Sequence, residues 1–267
     1  MNRKIIFLDC DGTLFDMPRG MEKVSDKSRY AIKELIKNGH LVFIASGRSK
    51  CLMTEDITSL NPTGFITGNG GCAFNSEEII FRYDIPQDKV DAVANYCNDH
   101  NGVYYLETQE YIRTRDITDP LHIAFITCWG VNDANFIDDV GLKDNYQMMM
   151  TAFNSEEECF EFEKAMNGIV DYRKQYGFTS FDVGEFGIDK GYGVKKVLEY
   201  YGIDKKDAYA FGDGLNDLEM LQAVEESYAV ENANPKLKAL AKNVAPDVLD
   251  DGFYQIMVQD GLIKPID

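Results

Sequence analysis

The sequence predicts an α/β protein in which a doubly wound parallel core sheet carries an inserted α+β domain. Short, continuously apolar runs alternate with helical patterns near the amino terminus, and this alternation returns near the carboxyl terminus. Between them, several runs alternate polar and apolar residues, as half-exposed antiparallel strands do. We therefore expect a discontinuous, Rossmann-like core of residues 1–81 and 186–267, with residues 82–185 inserted as a separate domain.

The amino-terminal part follows a strand–helix–strand–helix–strand pattern. Buried parallel strands are continuous apolar runs, whereas Ser25 is suited to cap the start of a helix and Gly39 to end it. The predicted elements are a strand over Lys4–Leu8, a helix from Ser25 to Gly39, a strand over Leu41–Ala45, a helix near Ser49–Leu60 and a strand over Gly64–Thr67.

The predicted insert combines helices with antiparallel strands. Its helices are expected near Pro86–Asn101 and Ser155–Gly168, and its strands over Val103–Glu107, Tyr111–Thr114, Ile123–Thr127, Gln147–Ala152, Asp171–Tyr176 and Thr179–Val183. After the insert, the pattern predicts a helix over Gly191–Tyr201, a strand over Ala208–Phe211, a helix over Asp217–Val224, a strand over Ser227–Val230, and helices over Pro235–Asn243 and Phe253–Gln259.

Charge and composition exclude some classes of partner. The chain has 45 acidic and 27 basic residues, a formal net charge of −18, which disfavours nucleic acids and anionic membranes because both bind positive surfaces. No run approaches the roughly 20 apolar residues of a membrane span. The six cysteines form no CxxC pair, which is typical of reduced thiols. We expect a cytoplasmic protein.

Polar groups follow the predicted core strands at the points where these strands end. In open α/β sheets, ligands bind beyond the carboxyl ends of the strands. The groups are Asp9-Cys10-Asp11-Gly12-Thr13, Ser46-Gly47-Arg48 and Gly212-Asp213-Gly214-Leu215-Asn216-Asp217, with Asp189-Lys190-Gly191 at the start of a core helix. Carboxylates gathered in one crevice repel one another, and a divalent cation removes the conflict. Because the donors are hard oxygens, we expect Mg²⁺.

These residue types suit phosphoryl transfer. A carboxylate such as Asp9 can attack phosphorus and form an acyl phosphate. Asp11, two residues further on, can protonate the leaving oxygen and later take a proton from water. Gly12 allows backbone amides to approach a phosphate, while Ser46 can donate a hydrogen bond and Lys190 supplies a positive charge.

In this order, DCDGT, SG, DKG and GDGLND resemble the four motifs of the haloacid dehalogenase (HAD) superfamily of phosphatases. The resemblance implies that Asp9 is nucleophile and metal ligand, and that Asp11 is acid/base and binds the metal through its main-chain carbonyl. It implies that Asp213 is a further metal ligand and that Asp217 anchors metal-bound water or Lys190. Phosphate contacts are implied for the remaining motif residues, namely Gly12, Ser46, Gly47, Lys190 and Asn216.

The motif spacing resembles the Cof-type branch of this superfamily, in which an α/β cap that acts as a substrate-specificity lid lies between motifs two and three. Ser46 follows Asp9 by 37 residues, and Lys190 follows Ser46 by 144 residues, which leaves room for a whole domain only in the second interval. Asn69-Gly70-Gly71 resembles the "NGA" turn of the branch, and Asn232-Ala233 its "GNA" segment. Glu231 stands where that segment usually has glycine, so a ligand role for Asn232 is left open.

Alternative functions remain open from the sequence. A phosphomutase would use the same intermediate but pass the phosphoryl group to a second hydroxyl. A non-catalytic metabolite-binding protein could keep the fold, although it would have no need of clustered carboxylates. A DxD glycosyltransferase would place its acidic pair after a nucleotide-binding region, whereas Asp9 and Asp11 follow the first strand. We expect a small phosphorylated metabolite as the substrate, with sugar phosphates first and flavin or pyridoxal phosphates next; the sequence leaves the oligomeric state open.

Overall fold

The structure, a computed structural model, describes residues 3–129, 135–138, 143–175 and 177–266, with the side chains of Cys128 and Trp129 excepted. By internal contacts the chain divides into two compact units. The first comprises the residues up to Gly47, then Met53–Arg82, then the residues from Ile188 onwards. The second comprises Arg48–Leu52 and Tyr83–Gly187, so a short segment after the second motif packs within the second unit.

The first unit is built on a largely parallel sheet, and the predicted α/β class is confirmed. The strands are β1 (Ile5–Leu8), β2 (Leu41–Ala45), β3 (Gly64–Thr67), β4 (Cys72–Asn75), β5 (Ile79–Arg82), β12 (Ala208–Gly212), β13 (Glu226–Val230) and β14 (Asn243–Ala245). Their order is β14-β13-β12-β1-β2-β3-β4-β5, with parallel pairing from β14 to β3 and antiparallel pairing of β3, β4 and β5.

Helices cover this sheet and close its core. Strands β1, β2 and β12 are buried along their whole length, as expected for parallel strands covered on both faces. The helices are α1 (Asp26–Lys37), α2 (Glu55–Thr58), α6 (Lys190–Tyr201), α7 (Leu218–Gln222), α8 (Pro235–Leu240) and α9 (Gly252–Gln259). Ser25 caps α1 by accepting the N–H of Ser28 at 3.0 Å, as its sequence position predicts.

The second unit is built on a mainly antiparallel sheet. Its strands are β6 (Val103–Glu107), β7 (Ile112–Thr114), β8 (Phe136–Asp138), β9 (Met148–Ala152), β10 (Asp171–Lys174) and β11 (Ser180–Gly184), and its helices are α3 (Gln87–Asp99), α4 (Pro120–Trp129) and α5 (Glu156–Met166). The strand order is β10-β11-β9-β6-β7-β8. Helices α3 and α5 pack on one face of the sheet around Phe162 and Phe181. The opposite face packs against α4 and against Cys51 and Leu52.

Some predicted elements differ from the structure. Residues Ile123–Thr127, predicted as a strand, lie within α4, because Pro120 occupies the first helical position and the Asp119 carboxylate accepts the N–H of Leu121 at 2.9 Å. The helix predicted near Ser49–Leu60 is reduced to α2, since Lys50–Leu52 forms a separate 3-10 turn. Tyr176, the predicted end of β10, lies outside the described residues.

In the part of the chain that the structure describes, each helix is too short or too polar to span a lipid bilayer.

Candidate active site

The candidate site lies at the carboxyl ends of the central strands of the first unit. Strands β12, β1 and β2 are adjacent and parallel, so Asp213, Asp9 and Ser46 follow them at the same edge of the sheet. Backbone hydrogen bonds between neighbouring strands extend to the first residues after the strand ends. The N–H of Asp9 donates to the Phe211 carbonyl at 3.0 Å, and the N–H of Ser46 donates to the Ile66 carbonyl at 2.9 Å. The main chain therefore fixes where these side chains begin.

Three acids from two motifs meet at this edge. One carboxylate oxygen from each of Asp9, Asp213 and Asp217 lies within 4.8 Å of the other two. Asp9 is 5% exposed and Asp217 is fully buried. Burial, followed by the repulsion of neighbouring carboxylates, raises the pKa of Asp9 and of Asp213 well above the usual range of an aspartate. A hard divalent cation among these oxygens would relieve that repulsion, so the donor set fits one.

Lys190 lies between two of these acids. Its Nζ donates to Asp9 Oδ1 at 2.5 Å and to Asp217 Oδ1 at 2.6 Å, and the residue is 1% exposed. The position follows from the start of α6, where the Asp189 carboxylate caps the helix by accepting the N–H of Tyr192 at 2.8 Å. Despite the cost of burial, the two carboxylates raise the pKa of Lys190, so the side chain stays an ammonium ion.

Asp217 shapes the loop of the fourth motif as well as holding Lys190. Its Oδ2 accepts the backbone N–H groups of Asp213 and Gly214, each at 3.0 Å. Both oxygens of Asp217 therefore have protein donors. This arrangement holds Lys190 and orients the fourth-motif loop, and the predicted role of Asp217 at metal-bound water stays a prediction.

Gly12 brings the first-motif loop close to Asp213. Its φ of +79° lies in the left-handed region, and a Cβ at this position would be 2.2 Å from Asp213 Oδ2. Asp11, the residue before it, is exposed, and the group of acids within 4.8 Å of one another does not include its carboxylate. The predicted metal contact of Asp11 involves its main-chain carbonyl instead, so this role stays a prediction.

Asn69 links Ser46 to Asn216 and lies close to Gly47. Ser46 is 1% exposed, and its carbonyl accepts the N–H of Asn69 at 3.2 Å. Asn216 Nδ2 donates to Asn69 Oδ1 at 3.2 Å, and a Cβ on Gly47 would be 3.1 Å from that same oxygen. The second and fourth motifs are thus joined by an asparagine of the "NGA"-like turn, a linking role that sequence reasoning did not assign.

Two further residues contact the motif loops and were not among the predicted site residues. Asn232 Nδ2 donates to the Gly12 carbonyl at 2.7 Å. The backbone N–H of Asn234 donates to the Asp213 carbonyl at 2.8 Å. The only signal in the sequence was the resemblance of Asn232-Ala233 to a family segment, which does not say which atoms the asparagine contacts.

Comparison with known proteins agrees with this geometry. A family model described as haloacid dehalogenase-like hydrolase matches residues 6–257. In Bacillus subtilis (strain 168), YkrA, which is named as a candidate phosphatase, is 29% identical over 99% of this chain and 100% of its own length. From the same organism, 5-amino-6-(5-phospho-D-ribitylamino)uracil phosphatase YcsE is 26% identical over 93% of this chain and 92% of its own length.

A solved structure, the HAD subclass IIB sugar phosphatase BT4131, matches with a TM-score of 0.84 and 26% identity, covering 97% of this chain and 100% of that protein. The superfamily resemblance drawn from the four motifs and the assignment of the chain as an enzyme are confirmed. The family match, which spans nearly the whole chain, and the strand-end site together lead to one conclusion: the chain belongs to the haloacid dehalogenase-like hydrolases.

Proposed function

We propose that this protein is a magnesium-dependent phosphatase that hydrolyses a small phosphorylated metabolite, a sugar phosphate first of all, through an aspartyl-phosphate on Asp9. One observation carries the proposal: the Asp9 carboxylate lies at a strand end, 2.5 Å from the buried Lys190 ammonium and beside Asp213. The names of the relatives support the reaction class, since two are phosphatases and one of these is a sugar phosphatase.

The proposed metal ligands are Asp9, Asp213 and the main-chain carbonyl of Asp11. A divalent cation is typical of the family, and hard carboxylate and carbonyl oxygens suit Mg²⁺. When bound, the ion supplies positive charge against the oxygens of the phosphoryl group. Asp217 has both oxygens engaged by protein donors, so its proposed role is to hold Lys190 and the fourth-motif loop in place.

The proposed first step is carried by two aspartates of the first motif. The Asp9 carboxylate attacks phosphorus, so that a bond from its oxygen to phosphorus forms while the bond from phosphorus to the ester oxygen breaks. Asp11 gives a proton to the departing oxygen, which leaves as an alcohol. Lys190 orients the Asp9 carboxylate and, with Ser46, Gly12, Gly47 and Asn216, surrounds the phosphoryl oxygens with positive charge and hydrogen-bond donors.

The proposed second step regenerates the enzyme. Asp11, now a carboxylate, takes a proton from a water molecule as that water attacks phosphorus. The bond from phosphorus to Asp9 breaks, inorganic phosphate leaves, and Asp9 returns to its carboxylate form. We propose that residues 82–185 serve as a lid that selects the leaving group and excludes bulk water during the first step.

This function predicts metal-dependent release of phosphate. Purified protein with Mg²⁺ should hydrolyse a generic aryl phosphate such as p-nitrophenyl phosphate, and removal of the metal with a chelator should abolish the reaction until Mg²⁺ is restored. A panel of phosphorylated metabolites, assayed by released phosphate, should show the highest kcat/KM for sugar phosphates. Full activity in the presence of the chelator, or no release from any ester of the panel, would refute the proposal.

A further inference from the structure

A tight turn after β13 contacts both loops that carry the site acids. In this turn, Asn232 is half-buried, and its Nδ2 donates to the carbonyl oxygen of Gly12 in the first-motif loop at 2.7 Å. The backbone N–H of Asn234 donates to the carbonyl oxygen of Asp213 in the fourth-motif loop at 2.8 Å. One turn of the chain therefore holds Gly12 on one side and Asp213 on the other.

The other end of the Asn232 side chain is also fixed. Its Oδ1 accepts the backbone N–H of Val248 at 3.2 Å. Glu231, which stands where the resembling segment has glycine, is exposed, and its carboxylate pairs with Lys238 Nζ at 3.2 Å. The glutamate side chain is thus engaged by Lys238, and the Asn232 amide bridges Gly12 and Val248.

The spacing between the two motif loops is tight. Gly12 approaches Asp213 so closely that even a Cβ would collide with the carboxylate, and the left-handed backbone of Gly12 is one that few residues adopt. A short displacement of Gly12 would also move Asp11, the residue directly before it. The hydrogen bond from the Asn232 side chain restrains the Gly12 carbonyl from outside the first-motif loop.

We infer that Asn232 is a positioning residue for the reaction: its Nδ2–H holds the Asp11–Gly12 loop against Asp213. The inference rests on the proposed function for its effect on the reaction, but the restraint on the loop is a property of the fold itself. Residues that orient groups of an active site without touching the substrate commonly change turnover rather than substrate binding when they are replaced.

Three variants test this inference. Asn232→Asp keeps an acceptor for Val248 but loses the donor to Gly12, whereas Asn232→Ala loses both bonds and adds no charge. The matched control is Asn38→Asp at the carboxyl end of α1, which adds the same charge and loses a similar bond, the one that Asn38 Nδ2 donates to the Leu262 carbonyl at 2.9 Å.

We expect both Asn232 variants to lower kcat by about tenfold to a hundredfold with KM close to that of the unmodified protein, and Asn38→Asp to change neither. Peptide-level hydrogen exchange should show faster exchange over residues 10–16 in both Asn232 variants and unchanged exchange in the control. Activities are divided by the folded fraction measured under the same conditions, so that a loss of global stability is not counted as a loss of turnover.

The inference is overturned if either Asn232 variant keeps the unmodified kcat and loop exchange, if the loss disappears after correction for the folded fraction, or if Asn38→Asp loses as much. An unmodified protein that hydrolyses no phosphate ester would refute the proposed function instead. In that case hydrogen exchange alone decides whether Asn232 restrains the Gly12 loop, because it requires no turnover.

Discussion

Asp9→Asn should lower kcat by about 10⁴-fold or more, as expected when a covalent nucleophile is removed. The amide matches the carboxylate in shape but attacks phosphorus poorly and gives no stable acyl phosphate. The fold should persist, because burial disfavours the charged form of Asp9 and Lys190 keeps its ion pair with Asp217 at 2.6 Å. Steady-state phosphate release from the best ester of the panel measures the effect, and thermal unfolding without added metal measures stability.

Asp207→Asn is the matched control for Asp9→Asn. Asp207 lies just before β12, at the amino end of the same sheet, where its carboxylate pairs with Lys4 Nζ at 2.7 Å. The substitution removes one acidic charge from the first unit, at the opposite end of the strands from Asp9. Activity should stay within about twofold of that of the unmodified protein, as is usual for a surface substitution outside the active site. If Asp9→Asn retained activity similar to that of this control, Asp9 would not be the nucleophile.

Lys190→Met should both destabilise the protein and remove activity. The ammonium group is buried with Asp9 and Asp217, and methionine fills similar space without charge, so two buried carboxylates lose their cation. Breaking a buried ion pair in this way typically costs about 3–5 kcal/mol of unfolding free energy. Denaturant unfolding in metal-free buffer measures this cost, since a bound cation would compensate part of the lost charge.

Two comparisons isolate the cause of the loss at Lys190. Lys196 lies on the same helix, and its exposed ammonium pairs with Glu199 at 3.0 Å. Lys196→Met should change the unfolding free energy by no more than about 0.5 kcal/mol. The double variant Lys190→Met with Asp217→Asn should recover part of the loss, because one unpaired buried carboxylate is then removed. Equal stability of Lys190→Met and the unmodified protein would contradict the proposed balance of charges.

The core of the fold could be predicted because its signals are local and strong. Continuously apolar runs such as Leu41–Ala45 correspond to fully buried strands, and the polar groups that follow them meet because parallel neighbouring strands end at one edge. Three of the predicted acids therefore come together as the order of motifs predicts, whereas the carboxylate of the fourth, Asp11, is not part of the cluster. Asp9, Asp213 and Asp217 could be assigned to one cluster without coordinates, since chain order and strand topology together decide it.

Other features of the fold and of the site depend on contacts that the local sequence pattern does not reveal. The run Ile123–Thr127 is apolar on every side, so its periodicity does not distinguish a buried helix from a strand. The short antiparallel strands β4 and β5 follow the Asn69-Gly70-Gly71 turn, which resembles a family motif but gives no sign of the strand pair after it. The contact of Asn232 with Gly12 joins residues 220 positions apart, and no pattern in the sequence specifies such a pairing.

Direct detection of the intermediate tests the nucleophilic role of Asp9 without relying on rates. The protein is mixed with substrate and Mg²⁺, and the reaction is quenched in acid within one turnover. The protein is then digested, and the masses of its peptides are measured by mass spectrometry. We predict one phosphoryl group on the peptide that contains Asp9, absent from Asp9→Asn and lost on further incubation before the quench. Turnover of the same substrate with no phosphorylated peptide at any quench time, together with an active Asp9→Asn, would contradict the aspartyl-phosphate mechanism.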